Sequence, residues 1–465
     1  MDNSLFDAFD AVSGKQWKQK IQFDLKGADY NSTLIWESHE GIAVKPFYTA
    51  EDLNAQSSTC YSKRTGWNVC QPIYVADAAR SNKKALISIE KGADSILFIL
   101  PSESISIEDL LIGIDLNTSS VYFELQFLSY EYVQKIMTYQ HGHGVKTGSH
   151  NIHISTDIIG HLSKNGNWFN TLNDDFQVFV AIVQATKSFN VNMALYQNAG
   201  ANMVQQLAYA LAHANEYLNV LDKKLSAQDS KHQISCTFHV AVGTNYFFEI
   251  AKLRALRLLW NTLASEYHID TVCHMIATPT KRNKTLYDYN TNLLRTTTEC
   301  MSAVVGGADT IINLAFDSVY HKTNEFSERI ARNQLLILKH ESHFDKVDNP
   351  ADGAYYIETL TQQLAEKALL LFKEIELSGG FLKQLKVGTI QRKIKESAAK
   401  EQKQFDEGEE VLVGSNKYIN PTDVMKAKIE LYPFVKIKSR KTLIEPIIEN
   451  RLSETLEQKR LKKEA

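Results

Sequence analysis

Short apolar runs, each followed by a helical pattern, constrain this chain more than any other feature. They are "SILFIL" (95–100), "VYFELQ" (121–126), "IHIS" (152–155), "VNMALY" (191–196), "ISCTFHVAV" (234–242), "TVCHMIA" (271–277), "TIINLA" (310–315) and a weaker run at "FDKVD" (344–348). Near-continuous apolarity without strict alternation marks strands covered on both faces. Buried strands alternating with helices imply a parallel sheet wrapped by those helices. Eight such units in about 300 residues predict an α/β fold, a (β/α)₈ TIM barrel over residues 85–380. A doubly wound open sheet is the competitor, weakened because no GxGxxG follows an early strand.

The helices read more clearly. Val204, Leu207, Leu211, Ala214 and Leu218 form one stripe at helical spacing. Tyr355, Ile357, Leu360, Leu364, Leu371 and Ile375 form another, which ends at Gly379–Gly380. The stretch "DDFQVFVAIVQATK" (174–187) suits strand or helix, and its length favours helix. Residues 1–84 form an N-terminal extension, with a short aromatic-bearing helix in "WKQKIQFDLKGADY" and an irregular stretch through "GWNVCQP". Residues 381–465 form a helical C-terminal segment whose charge runs read as solvated faces.

With 51 basic and 54 acidic side chains, the chain has no electrostatic footprint for nucleic acid or a membrane surface. Cys60, Cys70, Cys236, Cys273 and Cys300 form no CxxC pair, and they read as reduced thiols of an intracellular protein. The acidic opening "MDNSLFDAFDAVSGKQW" lacks the features of a signal or transit peptide, and no apolar run approaches the roughly 20 residues of a membrane span. A cytoplasmic location is expected.

Candidate chemistry is sparse. "HGHGVKTGSHNIH" gathers His141, His143, His150 and His153, but without a neighbouring Cys or carboxylate and around two glycines it reads as a loop, not a metal site. "YNTNLLRTTTECMSAVVGGAD" (289–309) opens a helix that Thr291 or Asn292 would cap, with Arg295 one turn in. That arrangement suits either an anion or a structural ion pair. Neither GxSxG nor a Walker-type glycine loop is present.

Several long segments read together are more specific. "FFEIAKLRALRLLW" (247–260), "RTTTECMSAVVGGAD" (295–309), "NEFSERIARNQLLILKHES" (324–342) and "DGAYYIETLTQQLAEKALLLFKEIELSGG" (352–380) resemble the coenzyme-B12-dependent acyl-CoA mutases. The opening, from "LFDAFDAVSGKQWKQKIQFDLKGADY" to "WESHEGIAVKPFYTAEDL", resembles the small-subunit branch of the methylmalonyl-CoA mutases. The resemblance implies a barrel that threads CoA in catalytic chains, capped by a cobalamin domain with an Asp-x-His-x-x-Gly lower-ligand motif. That motif is missing from these residues, and the chain ends at "LKKEA". The reading is therefore that the cobalamin-binding domain is absent.

The family's Gly-Tyr-His-Met-Gln-Glu-Ala-Gly-Ala turn resembles "MALYQNAGA" (193–201), which places Ala194 at its Tyr, Leu195 at its catalytic His and Asn198 at its Glu. Leucine cannot donate a hydrogen bond to a developing oxyanion. The family's Trp-Thr-Ile-Arg-Gln-Tyr looks like "WNVCQP" (67–72), with Cys70 at its Arg and Pro72 at its Tyr. The resemblance thus implies degenerate catalytic positions, leaving Gln197, Asn198 and Arg295 as vestiges at the barrel mouth. It implies a non-catalytic small subunit that binds no cofactor itself and supports a large catalytic subunit carrying adenosylcobalamin. The alternative is a catalytic barrel that needs a separate cobalamin-binding subunit. Phe6, Phe9, Trp17 and Phe23 are the expected contacts of a heterodimer.

Overall fold

The computed structural model describes residues 10–53, 66–142, 152–225, 231–436 and 439–464. Its centre is a ring of parallel strands: β1 (Asn68–Tyr74), β2 (Ser95–Leu100), β3 (Ser120–Leu125), β4 (Ile152–Ser155), β5 (Ser188–Asn192), β6 (Ser235–Val242), β7 (His274–Pro279) and β8 (Thr310–Ile312). Hydrogen-bonded neighbours run β4-β3-β2-β1-β8-β7-β6-β5, a nearly closed eight-stranded barrel with helices outside. Outward residues such as Ile96, Phe98, Val121 and Phe123 are fully buried under those helices. Inward residues Cys70, Leu97, Tyr122, Ile276 and Ile312 form a separate cluster. Both faces are covered, which explains why alternation is weak in the sequence.

Seven strands coincide with the expected apolar runs, although the fifth is Ser188–Asn192, so the "MALY" part of its run belongs to the following turn. The eighth does not coincide. Residues 344–348 form no strand, and the missing member is β1, which lies ahead of the expected barrel boundary at residue 85. Pro72 disguised it, because proline lacks a ladder donor. The ladder to β8 ends at the Ile312–Cys70 pair, so Pro72 lies beyond that partner and pairs in register only with Leu97 of β2. The ambiguous 174–187 stretch is helical, within Leu172–Thr186.

Where β4 and β5 share no ladder, a side chain joins them. Asp157, just past β4, accepts from the Asn192 amide at the end of β5 (2.7 Å), from Gly160 N (2.7 Å) and from the Tyr217 hydroxyl (2.6 Å), and it pairs with His213 Nε2 at 2.9 Å. Burial alone would raise its carboxyl, but His213, Tyr217 and the amides hold it below its ordinary value of 3.8.

A second buried hub lies at the β6 end. Glu249 and Lys252, both fully buried on the Tyr246–Glu266 helix, form an ion pair at 2.5 Å. Glu249 Oε1 accepts from Gly243 N (2.7 Å) and Gln197 Nε2 (3.1 Å). Lys252 Nζ donates to Gln197 (2.9 Å), Gln206 (3.1 Å) and the Ala241 carbonyl (2.8 Å). One pair thus fastens the end of β6, the 194–198 turn and the Met203–Lys224 helix. No helix of the described residues is long and apolar enough to cross a membrane.

Lys252→Met is expected to cost about 3–5 kcal/mol in urea unfolding, because it strands Glu249 in the core. A loss below about 1 kcal/mol would show that the hub is not structural. Asp157 has a lowered native pKa, so its contribution is present above its unfolded value and lost as pH falls through the native one. Stability of the native protein should therefore drop below about pH 4 more steeply than that of Asp157→Asn. Parallel pH curves for the two proteins would remove Asp157 from the account.

Candidate functional site

In a (β/α)₈ barrel the chemistry sits where the strands end at their C-termini. Here that face carries the Ala194–Asn198 turn, the loops after β7 and β8, and a strap of residues 439–452 drawn across it. Leu443 N and Ile444 N donate to Gly166 O, Ile447 N to Ser163 O, Asn450 N to Asn198 O and Leu452 N to Arg282 O. Gly166 has φ of 79°, and a Cβ there would meet Ile444 O at 2.8 Å, so the strap requires glycine at that point. Gly200 is held the same way: its φ is 99°, and a Cβ would come within 2.5 Å of Ala398 Cβ.

The mouth carries several cavities. One of about 160 Å³ is lined by Gln197, Glu249, Asn202 and Arg282. Another of about 260 Å³ lies over β1 and β8 beside Cys70 and Pro72. A third of about 360 Å³ opens over β3 to β6, beside Glu124, Ser155, Asn190 and His239. The fourth, about 400 Å³, lies under the strap at Asn198, Lys284 and Arg451.

Below the mouth the axis is filled. Tyr122 of β3 is 1% exposed, and its hydroxyl reaches across to Thr310 Oγ1 of β8 (2.9 Å) and His274 Nε2 of β7 (3.1 Å). Its ring stacks on His153 at 4.5 Å and lies 5.7 Å from His274. Leu97, Ile276 and Ile312 pack around it.

The expected site residues do not converge. Leu195 is 2% exposed and belongs to the main apolar core. Cys70 and Pro72 line the β1–β8 cavity, and burial pushes the Cys70 thiol up to about 12. Gln197 is committed to the Glu249–Lys252 hub. Asn198 accepts from Thr280 (2.8 Å) and Lys281 N (3.0 Å) and donates to Glu449 (3.0 Å), tying the strap to the mouth. Arg295 donates to Thr285 (3.0 Å), Asn292 (2.8 Å) and the Val413 carbonyl (2.6 Å), so its guanidinium holds the C-terminal segment. Asn292 is no cap. Its amide bridges the Thr285 and Phe316 carbonyls, and the helix starts after Asn290 without a side-chain cap bond.

Of the histidine cluster, His141 is exposed at the end of the Tyr130–Gly142 helix and His153 lies inside the barrel. His143 and His150 lie outside the described residues, as do Phe6 and Phe9. Among the described residues, no group of three His, Cys, Asp or Glu side chains is arranged to hold a metal ion. Trp17 and Phe23 lie on the Gly14–Asp24 helix, 51% and 78% exposed, and none of that helix's residues is buried. Sequence reasoning missed Tyr122, His239 and Asp157, for which no motif exists; only the barrel brings them to the axis and the mouth.

Several charges in the long family-like segments have structural partners. Arg254 reaches Glu358 at 2.6 Å and Arg257 reaches Asp309 at 2.9 Å, while Lys284 and Glu299 pair at 2.7 Å. A chain sharing these segments therefore shares a wall, whatever its mouth does. Residues 103–462 match the family described as methylmalonyl-CoA mutase. The methylmalonyl-CoA mutase small subunit of Porphyromonas gingivalis is 36% identical, the match covering 92% of this chain and 73% of that protein. The methylmalonyl-CoA mutase of Cereibacter sphaeroides is 32% identical over 86% of this chain and 64% of its own length. The small subunit from Streptomyces virginiae is 28% identical, covering 89% and 72%. On the extent of these matches, the chain belongs to the methylmalonyl-CoA mutase family.

Proposed function

We propose that this chain is a small, non-catalytic subunit of a cytoplasmic methylmalonyl-CoA mutase heterodimer. In that assembly a large subunit carries adenosylcobalamin and interconverts methylmalonyl-CoA and succinyl-CoA. The observation that carries the reading is the closed barrel axis. Tyr122 spans from β3 to β7 and β8, so a CoA chain has no path along the barrel. Supporting it, the position matching the family's catalytic histidine is a core leucine, and the positions matching its Arg and Tyr are a buried thiol and a proline. The mouth also fits the cofactor poorly: its cavities measure about 160 to 400 Å³. A corrinoid is larger than the drug-sized ligands that fill pockets of about 300–1,000 Å³.

The exposed Trp17 and Phe23 support a partner at the N-terminal helix. Trp17 packs edge-on against Phe47 at 6.3 Å but keeps about half its surface in solvent. Aromatic anchors of this kind dominate interface energies.

Leu195→His is expected to give no mutase turnover with adenosylcobalamin and methylmalonyl-CoA, with or without a separate cobalamin-binding protein. Catalytic groups acting as a unit are non-additive, and Cys70, Pro72 and Tyr122 would remain in place. The buried imidazole should also lower stability by about 1–3 kcal/mol. Turnover by the native chain or by the single mutant would favour the catalytic alternative. Deleting residues 1–25 should weaken co-purification with a large mutase chain while leaving circular dichroism unchanged. Undiminished association would remove the N-terminal segment from the interface, and a full-length chain that never associates would refute the subunit reading.

A further inference from the structure

Arg257, Arg282, Arg332 and Arg451 are the buried arginines among the described residues. Three of them answer a carboxylate: Arg257 pairs with Asp309, Arg282 with Glu401 and Arg451 with Glu457. Arg332 does not. It is 8% exposed on the Glu325–Leu336 helix, and no carboxylate lies within 4.0 Å of it among the described residues. Its Nη1 donates to Gln71 Oε1 of β1 at 3.0 Å, and its Nε has no partner. A buried guanidinium with unmet donors is costly, since each unmet donor forfeits its hydration.

This side chain lines the cavity of about 260 Å³ over β1 and β8, far above the ~15 Å³ that a single water needs. Pro72, Ile99, Leu314, Leu335 and Leu431 give that cavity an apolar wall. Two carboxylates also line it, and both are engaged: Asp317 accepts from Asn324 at 2.9 Å, and Glu328 pairs with Lys84 at 2.5 Å. Lys322, exposed, stands at its edge, where His321 faces Glu430 at 3.4 Å.

We propose that this cavity binds a small monocarboxylate. The carboxylate accepts from the guanidinium of Arg332 where that side chain lines the cavity, and a short carbon tail lies along Pro72, Ile99 and Leu314. A monoanion suits the local charge better than phosphate does. One guanidinium and one peripheral ammonium face two carboxylates here, too little positive charge for a dianion. Gln71 engages Nη1 of this guanidinium from β1. The site is independent of the subunit reading, because it asks for no catalysis and no partner.

Calorimetric titration of the full-length protein with butyrate, and separately with inorganic phosphate, tests the proposal. Butyrate should bind saturably at one site, and phosphate at least tenfold more weakly. Arg332→Gln should weaken butyrate at least tenfold, about 1.4 kcal/mol. Should that variant fail to fold by circular dichroism, Ala315→Phe, which fills the cavity and leaves Arg332 in place, should abolish butyrate binding. The proposal is overturned by no saturable butyrate heat up to about 50 mM, a concentration corresponding to under 2 kcal/mol of affinity. It is equally overturned by undiminished binding to a folded Arg332→Gln or Ala315→Phe protein, or by phosphate binding as tightly as butyrate.

Discussion

The ion pair between Glu249 and Lys252 ties together parts of the chain that lie far apart in sequence. Two charges with no solvent exposure are favourable only when every remaining donor and acceptor is met. Gly243 N, Gln197, Gln206 and the Ala241 carbonyl meet them, and these groups come from the end of β6, the turn after β5 and the next helix. Gly243 has no side chain to obstruct the approach; a Cβ there would lie 3.2 Å from both Gln197 Nε2 and Glu249 Oε1. The 194–198 turn is therefore fastened from behind by a buried charge network. The network constrains what lies in front of it without specifying its chemistry.

That separation explains how a barrel can keep its wall while its mouth changes. The paired charges of the long shared segments, Arg254 with Glu358, Arg257 with Asp309 and Lys284 with Glu299, lie within the wall or behind it. Removing one member of such a pair leaves a buried charge unanswered, so the cost of change there is high. A leucine at position 195 carries no such cost, because it joins the apolar core already surrounding it. Tyr122 likewise stabilises the barrel from inside, meeting Thr310 and His274 with its hydroxyl while its ring fills the axis. Once the axis is packed, substrate passage and barrel stability compete for the same volume.

Much of the architecture could be read from local pattern. Helices at 203–224 and 355–377 followed from apolar spacing, and the strands at 95–100, 120–125, 152–155 and 235–242 from compact apolar runs. The strand at 68–74 could not be read this way, because Pro72 and the polar Asn68 and Gln71 give it the composition of a loop. Its strand character comes from neighbours on both sides, which supply the ladder that its own residues do not advertise. The candidate site was less legible still. Gln197, Asn198 and Arg295 are polar residues at the right places in the chain, yet each is engaged by a partner remote in sequence, including Glu249, Glu449 and Val413.

By itself, the sequence determined the alternation of buried strands with helices, hence a parallel barrel, and carried the segments that mark its family. On the resemblance it carries, it also gave the expectation that leucine, cysteine and proline stand where the family has a histidine, an arginine and a tyrosine. Tertiary structure alone decided what the remaining polar residues do. Hydrogen bonds and ion pairs depend on distances of about 3 Å between groups that here lie tens to hundreds of positions apart, and no local periodicity encodes such meetings. Arg332 is the clearest case. In the sequence it is one charge in a helical run; in the fold it is a buried cation bonded to Gln71, with a cavity beside it and no carboxylate within 4.0 Å among the described residues.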